Sequence, residues 1–167
     1  MKRLALILVL LAGCGGDDGG GAGSLAINEV MPENKAACAD PFGEYDDWFE
    51  IYNGGSSDVD LEGYYVSDDS TLPMKVQLSA GLTVPAHGVK LFWADEQVQG
   101  TDHVNFKLEK NGEEIVLSDP DGTLVDMVTF GAATEDSSFA RLPDGTGDMA
   151  LCAHPTCGEL NGESCAP

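Results

Sequence analysis

The sequence predicts an all-β domain, an antiparallel sandwich or barrel of about eight or nine short strands beginning near Leu25. Three observations carry this expectation. Short runs rich in β-branched and aromatic residues recur along the chain, with Gly, Pro, Asn and Asp clustered between them. No stretch of about ten residues beyond the N-terminal segment keeps a 3.6-residue apolar period with plausible caps. Tight-turn chemistry recurs in the second half as Asp119-Pro120-Asp121-Gly122 and Leu142-Pro143-Asp144-Gly145, where Pro presets φ and Gly supplies a positive φ. Without an evident internal repeat, a propeller is not indicated.

Taken in order, Leu25–Met31 is the first expected strand, closed by Pro32. Residues 48–53 alternate strictly, placing Phe49 and Ile51 on one face and Trp48, Glu50 and Tyr52 on the other. The loop Gly54-Gly55-Ser56-Ser57 leads to residues 59–61 and 64–67, which flank a turn at Glu62-Gly63. Residues 74–78 follow a proline, and Val89–Ala94 follows the turn Pro85-Ala86-His87-Gly88. Residues 106–108 precede Lys110-Asn111-Gly112, read as a hairpin turn from which residues 114–117 return. Residues 123–130 partner them across the Pro120 turn, and Ser138–Arg141 is the last expected strand.

Ahead of this domain the chain reads Met1-Lys2-Arg3, an apolar run from Leu4 to Leu11, then Ala12, Gly13 and Cys14. A basic start, a short hydrophobic stretch and small residues before a cleavage point describe a secretory signal over residues 1–13. The run is too short for the roughly 20 residues a spanning helix needs. Leu11-Ala12-Gly13-Cys14 resembles the lipobox of bacterial lipoproteins, which implies a lipid on the Cys14 thiol and cleavage just before it. Two or more acyl chains give stable anchoring where one does not. Gly15, where some bacteria place an inner-membrane retention Asp, points to the outer membrane. After the cysteine, residues 15–24 carry no apolar residue larger than Ala, and their glycines make residues 14–24 a flexible tether with a reach of roughly 15–20 Å.

The chain holds 8 basic and 29 acidic residues, a formal charge of −21, and loss of Lys2 and Arg3 with the signal takes this to −23. Such a charge repels phosphate backbones, so a nucleic-acid partner is not expected. With Cys14 lipidated, Cys38, Cys152, Cys157 and Cys165 remain, an even set that suggests two disulfides with three pairings open. Three of them crowd the C-terminal end, so at least one bridge is expected to tie Cys38 near the domain's start to that end. Their spacing fits no common zinc pattern.

An ordered set of motifs then becomes recognisable. Ile27-Asn28-Glu29-Val30-Met31-Pro32 is followed by Asp47-Trp48-Phe49-Glu50-Ile51-Tyr52-Asn53 and by Asp60-Leu61-Glu62-Gly63-Tyr64-Tyr65-Val66-Ser67-Asp68-Asp69. Pro85-Ala86-His87-Gly88, Phe92-Trp93-Ala94-Asp95 and Asn105-Phe106-Lys107-Leu108 come next, then Gly112-Glu113-Glu114-Ile115-Val116-Leu117, Val125-Asp126, and Arg141-Leu142-Pro143-Asp144-Gly145. The string from Ile27 to Asn161 resembles lamin tail domains in their bacterial form. The resemblance implies an immunoglobulin-like β-sandwich acting as a binding or structural module without catalytic residues. Its motif positions are Asn28, Glu29, Trp48, Glu50, Asn53, Gly63, Asp68, Asn105, Phe106, Gly112, Asp126 and Gly145. Met149 stands where a Trp usually follows the Gly-Asp pair, Cys157 replaces a usual Pro, and the segment 33–44 carries Cys38. The last two departures point to a variant whose Cys-rich tail, residues 150–167, is stapled onto a sandwich spanning residues 25–149.

The three histidines, His87, His103 and His154, fall in expected loops, read as solvent-exposed and without a nucleophile partner at a motif spacing. The chain is therefore read as a non-enzyme without a cofactor. It is expected to be an envelope-exposed module that recognises a protein or glycan, using aromatics such as Trp48, Tyr52, Tyr64, Tyr65 and Trp93 where these do not simply pack the sheets. Two alternatives are carried: a calcium-dependent adhesion module and a small envelope hydrolase. No metal is the leading expectation; Glu44, Asp46 and Asp47 are the calcium candidates, against a reading of these acids as solvated loop residues.

Overall fold

The computed structural model describes residues 25–97 and 99–165. The expected export signal over residues 1–13, the expected lipidation at Cys14 and the expected tether over residues 14–24 lie outside the described residues. Among the described residues the chain forms strands β1 (Leu25–Met31), β2 (Asp47–Asn53), β3 (Val59–Asp60), β4 (Tyr65–Ser67), β5 (Val76–Gln77) and β6 (Thr83–Val84). It continues through β7 (Val89–Ala94), β8 (His103–Val104), β9 (Glu113–Ser118), β10 (Leu124–Phe130), β11 (Ser138–Arg141) and β12 (Met149–Cys152). Four of these, β3, β5, β6 and β8, are only two residues long, so the eight longer strands account for the number expected from the sequence. The larger sheet runs β12-β11-β1-β2-β7-β8 and the smaller β10-β9-β4-β5, with β3 and β6 paired separately. This is an immunoglobulin-like sandwich, all its pairs antiparallel except β7 with β8, which run parallel.

Alternation explains the core. Phe49 and Ile51 of β2 point between the sheets, beside Leu25, Ile27 and Val30 of β1 and opposite Val66, Ile115, Leu117 and Val128 of the smaller sheet. The simple alternation of β1 breaks at Asn28, where a bulge between Ile27 and Glu29 inserts one extra residue. The bulge lets both Ile27 and Val30 face inward and turns Glu29 outward. Phe49 stacks between Phe92 and Phe106, with centroid distances of 5.3 and 6.1 Å.

Two expectations fail in an instructive way. Residues 106–108 form no strand and no hairpin with β9, which pairs instead with β10 and β4. Phe106 and Leu108 are buried while Asn105 and Lys107 are exposed, so the alternation is real. It belongs to an extended crossover between sheets whose backbone meets the ladder only at an Asp95–Lys107 bridge. The second failure concerns the outer face of the large sheet. Trp48 is 0% exposed and Trp93 4%, packed with Met31 under the segment bearing Cys38 and the tail bearing Cys157. Neither indole is available as a binding surface.

The sheets are also joined by polar groups. Because β11 pairs only with the Glu29–Val30 part of β1, the backbone of Ile27 needs other partners. Its N–H donates to Asp126 Oδ2 on β10 at 2.8 Å, and its carbonyl accepts from Arg141 Nε on β11 at 2.8 Å. Arg141 and Asp126 then meet at 3.2 Å, closing the edge of the sandwich between layers.

Candidate functional site

Most of the motif residues build the scaffold. Asn28 donates to Asp144 and accepts from Gly145 N at 2.9 Å, so the β1 bulge holds the β11–β12 turn. Gly145 has φ of 67°, and a Cβ there would run into the Tyr52 ring. Asn53 donates to the carbonyls of Ser57 and Val84, and accepts from Gly55 N, closing the loop after β2. Gly63 takes φ of 83° in the turn before β4, and a Cβ on Gly112 would sit 2.9 Å from the Phe130 carbonyl. Asp68 pairs with Lys75 at 2.6 Å. Asn105 is exposed, Phe106 lies in the core, and Asp126 bridges the sheets.

Glu29 and Glu50 are buried side by side on the outer face of the large sheet, beneath the C-terminal tail. Glu29 accepts from Ser138 Oγ, from Thr156 Oγ1 at 2.5 Å and from Thr156 N at 3.3 Å. Glu50 accepts from the backbone N–H of Gly158. Asn161 donates to the carbonyls of Asn28 and Arg141 at 3.2 and 2.9 Å. Disulfides Cys38–Cys157 and Cys152–Cys165 complete this clasp, so the tail is bound to the sandwich at several points. The expected sandwich–tail boundary at residues 149 and 150 falls inside β12, the edge strand of the large sheet. Glu29 also lies near Cys152 and Cys165, but their sulfurs are bonded to each other and offer no thiolate to a metal.

Burial raises the pKa of Glu29, with the Ser138 and Thr156 hydrogen bonds opposing, and pushes Glu50 well above the ordinary carboxyl value, with the neighbouring Glu29 adding to the rise. Asp144 and Glu159 also face Glu50 and act in the same direction. A raised folded-state pKa means the folded chain holds these protons more tightly than the unfolded chain. Their stabilising contribution is complete below the reference value of 4.5 and is lost as pH rises through the folded values. Asp136, held below its ordinary value by N–H groups of Lys35, Ala36 and Ala37, acts the other way, but only in more acid solution. Above the reference value of 4.5 the urea midpoint is therefore expected to fall with rising pH as these two carboxyls ionise. Glu50→Gln, uncharged but still able to accept from Gly158, is expected to flatten that slope; an unchanged slope would show that Glu50 does not carry it.

A second cluster lies at the end of the sandwich where β8 joins β7. Asp40 sits in a tight turn in which its Oδ1 accepts from the N–H groups of Phe42 at 2.9 Å and Glu44 at 2.7 Å. Asp40 Oδ2 is buried without a hydrogen-bond partner and lies 3.8 Å from His103 Nε2, also buried and unpartnered. The opposite nitrogen of His103, Nδ1, lies 2.5 Å from Asp95 Oδ2. Asp95 in turn accepts from Gln97 N at 2.7 Å through Oδ1. Asp46 Oδ2 is buried and unpartnered, and burial raises its pKa, aided by the charges of Asp95, Glu44 and Asp40. Carboxylate oxygens of Asp40, Glu44 and Asp46 lie within 4.8 Å of one another, and Gln99 Nε2 donates to Glu44 at 2.7 Å.

Of the calcium candidates, the structure brings Glu44 and Asp46 together but separates Asp47 from that group, its Oδ1 accepting from Asn34 N at 3.2 Å. Asp47 is the first residue of β2, and the strand sets its direction. Asp40, Asp95 and His103 were not singled out as a set by the sequence. The reading of His103 as a solvent-exposed loop residue is corrected: it forms β8, packs edge-on against Phe42 and is 6% exposed. Asp95 and His103 are separated by a loop whose path has no sequence signature, and the apolar Val104 beside His103 was the one local hint of burial.

Residues 20–132 match the lamin tail domain family. A search of curated proteins returned no match. The matched span runs through β10, so β11, β12 and the clasped tail lie beyond it. Covering more than half of the 167 residues, with the immunoglobulin-like sandwich in place, the match shows that this chain belongs to the lamin tail domain family.

Proposed function

We propose that the chain is an envelope-exposed binding or structural module, anchored to the outer membrane through a lipid on Cys14, that holds a protein or glycan partner without catalysis. The reading rests chiefly on the order of sequence features: a basic and apolar segment, Leu11-Ala12-Gly13-Cys14, a Gly-rich run, then a sandwich whose first strand starts at Leu25. Membership of a family of binding and structural modules agrees with it. Partner-facing surface is sought on the small-sheet side, where Leu72, Met74, Leu124 and Met127 are exposed large apolar side chains. Tyr52, Tyr64 and Tyr65 keep partial exposure, whereas Trp48 and Trp93 are removed from the candidate surface.

Cys14→Ser is expected to move the protein from the membrane pellet to the soluble fraction with its melting transition intact, because the acidic domain itself has no attraction for anionic head groups. Retention of the variant in the membrane, or loss of fold, would count against the anchor. Binding is tested by immobilising the purified chain and passing solubilised envelope and a glycan library over it. Failure to retain any component would remove the binding reading and leave a structural one.

A further inference from the structure

We propose that Asp40, Glu44, Asp46 and His103 form a site for a divalent cation that accepts mixed nitrogen and oxygen ligands, with Zn²⁺ the best fit. An acidic cluster alone would not carry this. The decisive feature is a pair of buried, unpartnered atoms turned toward each other: Asp40 Oδ2 and His103 Nε2, on side chains 0% and 1% exposed, 3.8 Å apart. In the tautomer whose Nδ1–H donates to Asp95, the Nε2 lone pair faces the Asp40 carboxylate. Two lone pairs facing each other in a buried place repel unless a positive charge lies between them. The separation is close to that of two ligands sharing one metal at bond lengths of about 2.0–2.2 Å.

The surroundings fit a cation better than a proton. A proton on Nε2 would supply one positive charge to Asp40, Asp95, Asp46 and Glu44 together. Asp46 Oδ2 would still be buried without a partner. A divalent ion between Asp40 Oδ2 and His103 Nε2 satisfies both, and Asp46 and the exposed Glu44, whose carboxylate oxygens group within 4.8 Å of an Asp40 carboxylate oxygen, stand on its oxygen side. Asp95 then plays the orienting part that a carboxylate plays behind a metal-binding histidine, fixing the tautomer and the ring plane. The nitrogen ligand favours Zn²⁺ over Ca²⁺, which prefers six to eight oxygens. The site differs from the calcium set expected from sequence by losing Asp47 and gaining Asp40 and His103. It stands apart from the partner-binding proposal, and either can fail alone.

The test uses the detergent-solubilised full chain, stripped with EDTA, and titrated calorimetrically with ZnCl₂, MnCl₂ and CaCl₂ while the thermal midpoint is followed. One Zn²⁺ per chain and a raised midpoint are expected. Asp46→Asn and His103→Gln are expected to weaken Zn²⁺ binding at least about 10-fold, and Asp95→Asn by about 10- to 100-fold. Asp40→Asn keeps the Oδ1 acceptor for Phe42 and Glu44 and should fold while losing the ion. Glu44→Gln, at an exposed position, gives a further variant whose folding is not in question. Glu62→Gln, on an exposed residue outside the cluster, serves as control and should bind as the parent does. No Zn²⁺ uptake, or uptake unchanged by these cluster substitutions, would overturn the site. Preferential Ca²⁺ binding untouched by His103→Gln would overturn the nitrogen ligand. An imidazole that carries protons on both nitrogens near pH 8 by NMR and ignores added Zn²⁺ would reduce the cluster to an ion pair and overturn the proposal.

Discussion

Replacing Cys38 and Cys157 together by alanine is expected to lower unfolding stability by about 4–5 kcal/mol, the loss of denatured-state constraint for a very long loop. The bridge joins residues 119 apart in sequence, whereas Cys152–Cys165 joins residues 13 apart, for which the same relation gives about 3 kcal/mol. The two double variants thus form an internal comparison. Urea denaturation of each should place the Cys38/Cys157 variant lower. A second readout is the tail itself, which loses its covalent hold beside Gly158 while keeping the Thr156 and Asn161 hydrogen bonds. Limited proteolysis should therefore cut near residue 157 before the sandwich unfolds. Equal stabilities for the two variants would mean that the long-range bridge does not restrain the unfolded chain as its loop length requires.

Trp48→Ala is expected to cost about 3–5 kcal/mol, the range for truncating a fully buried large aromatic. Trp48 lies on the side of β2 opposite Phe49, packed with Met31 and Trp93 and roofed by the Cys38 and Cys157 segments. Its Nε1 has no hydrogen-bond partner, so the loss is one of packing and of the cavity left behind. Trp48→Phe should recover part of the loss because it refills part of that space. The measurement separates two roles for this residue. A ligand-stacking tryptophan on an open face could be removed with little change in the urea midpoint, whereas this one should not be. An unchanged midpoint for Trp48→Ala would contradict its place in the structure.

Strand β2 and its surroundings illustrate what could be read in advance. Alternation in residues 48–53 identified both faces of β2 correctly, because side chains alternate with period two whatever the tertiary context. It could not say whether the second face was open, since that depends on a tail more than one hundred residues away in sequence. The hairpin at Asp119-Pro120-Asp121-Gly122 was legible because its bonds are local: Asp119 accepts from Asp121 N and Thr123 N, and Gly122 takes φ of 80°. The Lys110-Asn111-Gly112 turn has similar chemistry and also forms, with Gly112 N donating to Glu109 at 3.0 Å. Yet the chain before it has crossed between sheets, so a correct turn did not make a hairpin. The acidic loops were the least legible. Asp46 and Asp47 are adjacent, but the start of β2 sends one toward Asp40 and His103 and the other toward Asn34. Which of them joins a cluster is decided by strand direction, not by composition.

The position of β1 has a mechanical consequence. Leu25 opens a strand that lies inside the six-stranded sheet, bonded to β2 on one side and to β11 on the other. A pull entering the domain at that residue, along the strand, loads the hydrogen bonds of two neighbours in shear, and they must yield together. Had the chain entered through an edge strand such as β12, tension could peel the sheet one bond at a time. A load applied at Leu25 thus meets the bonds of two neighbouring strands, where one applied to β12 would meet those of a single neighbour.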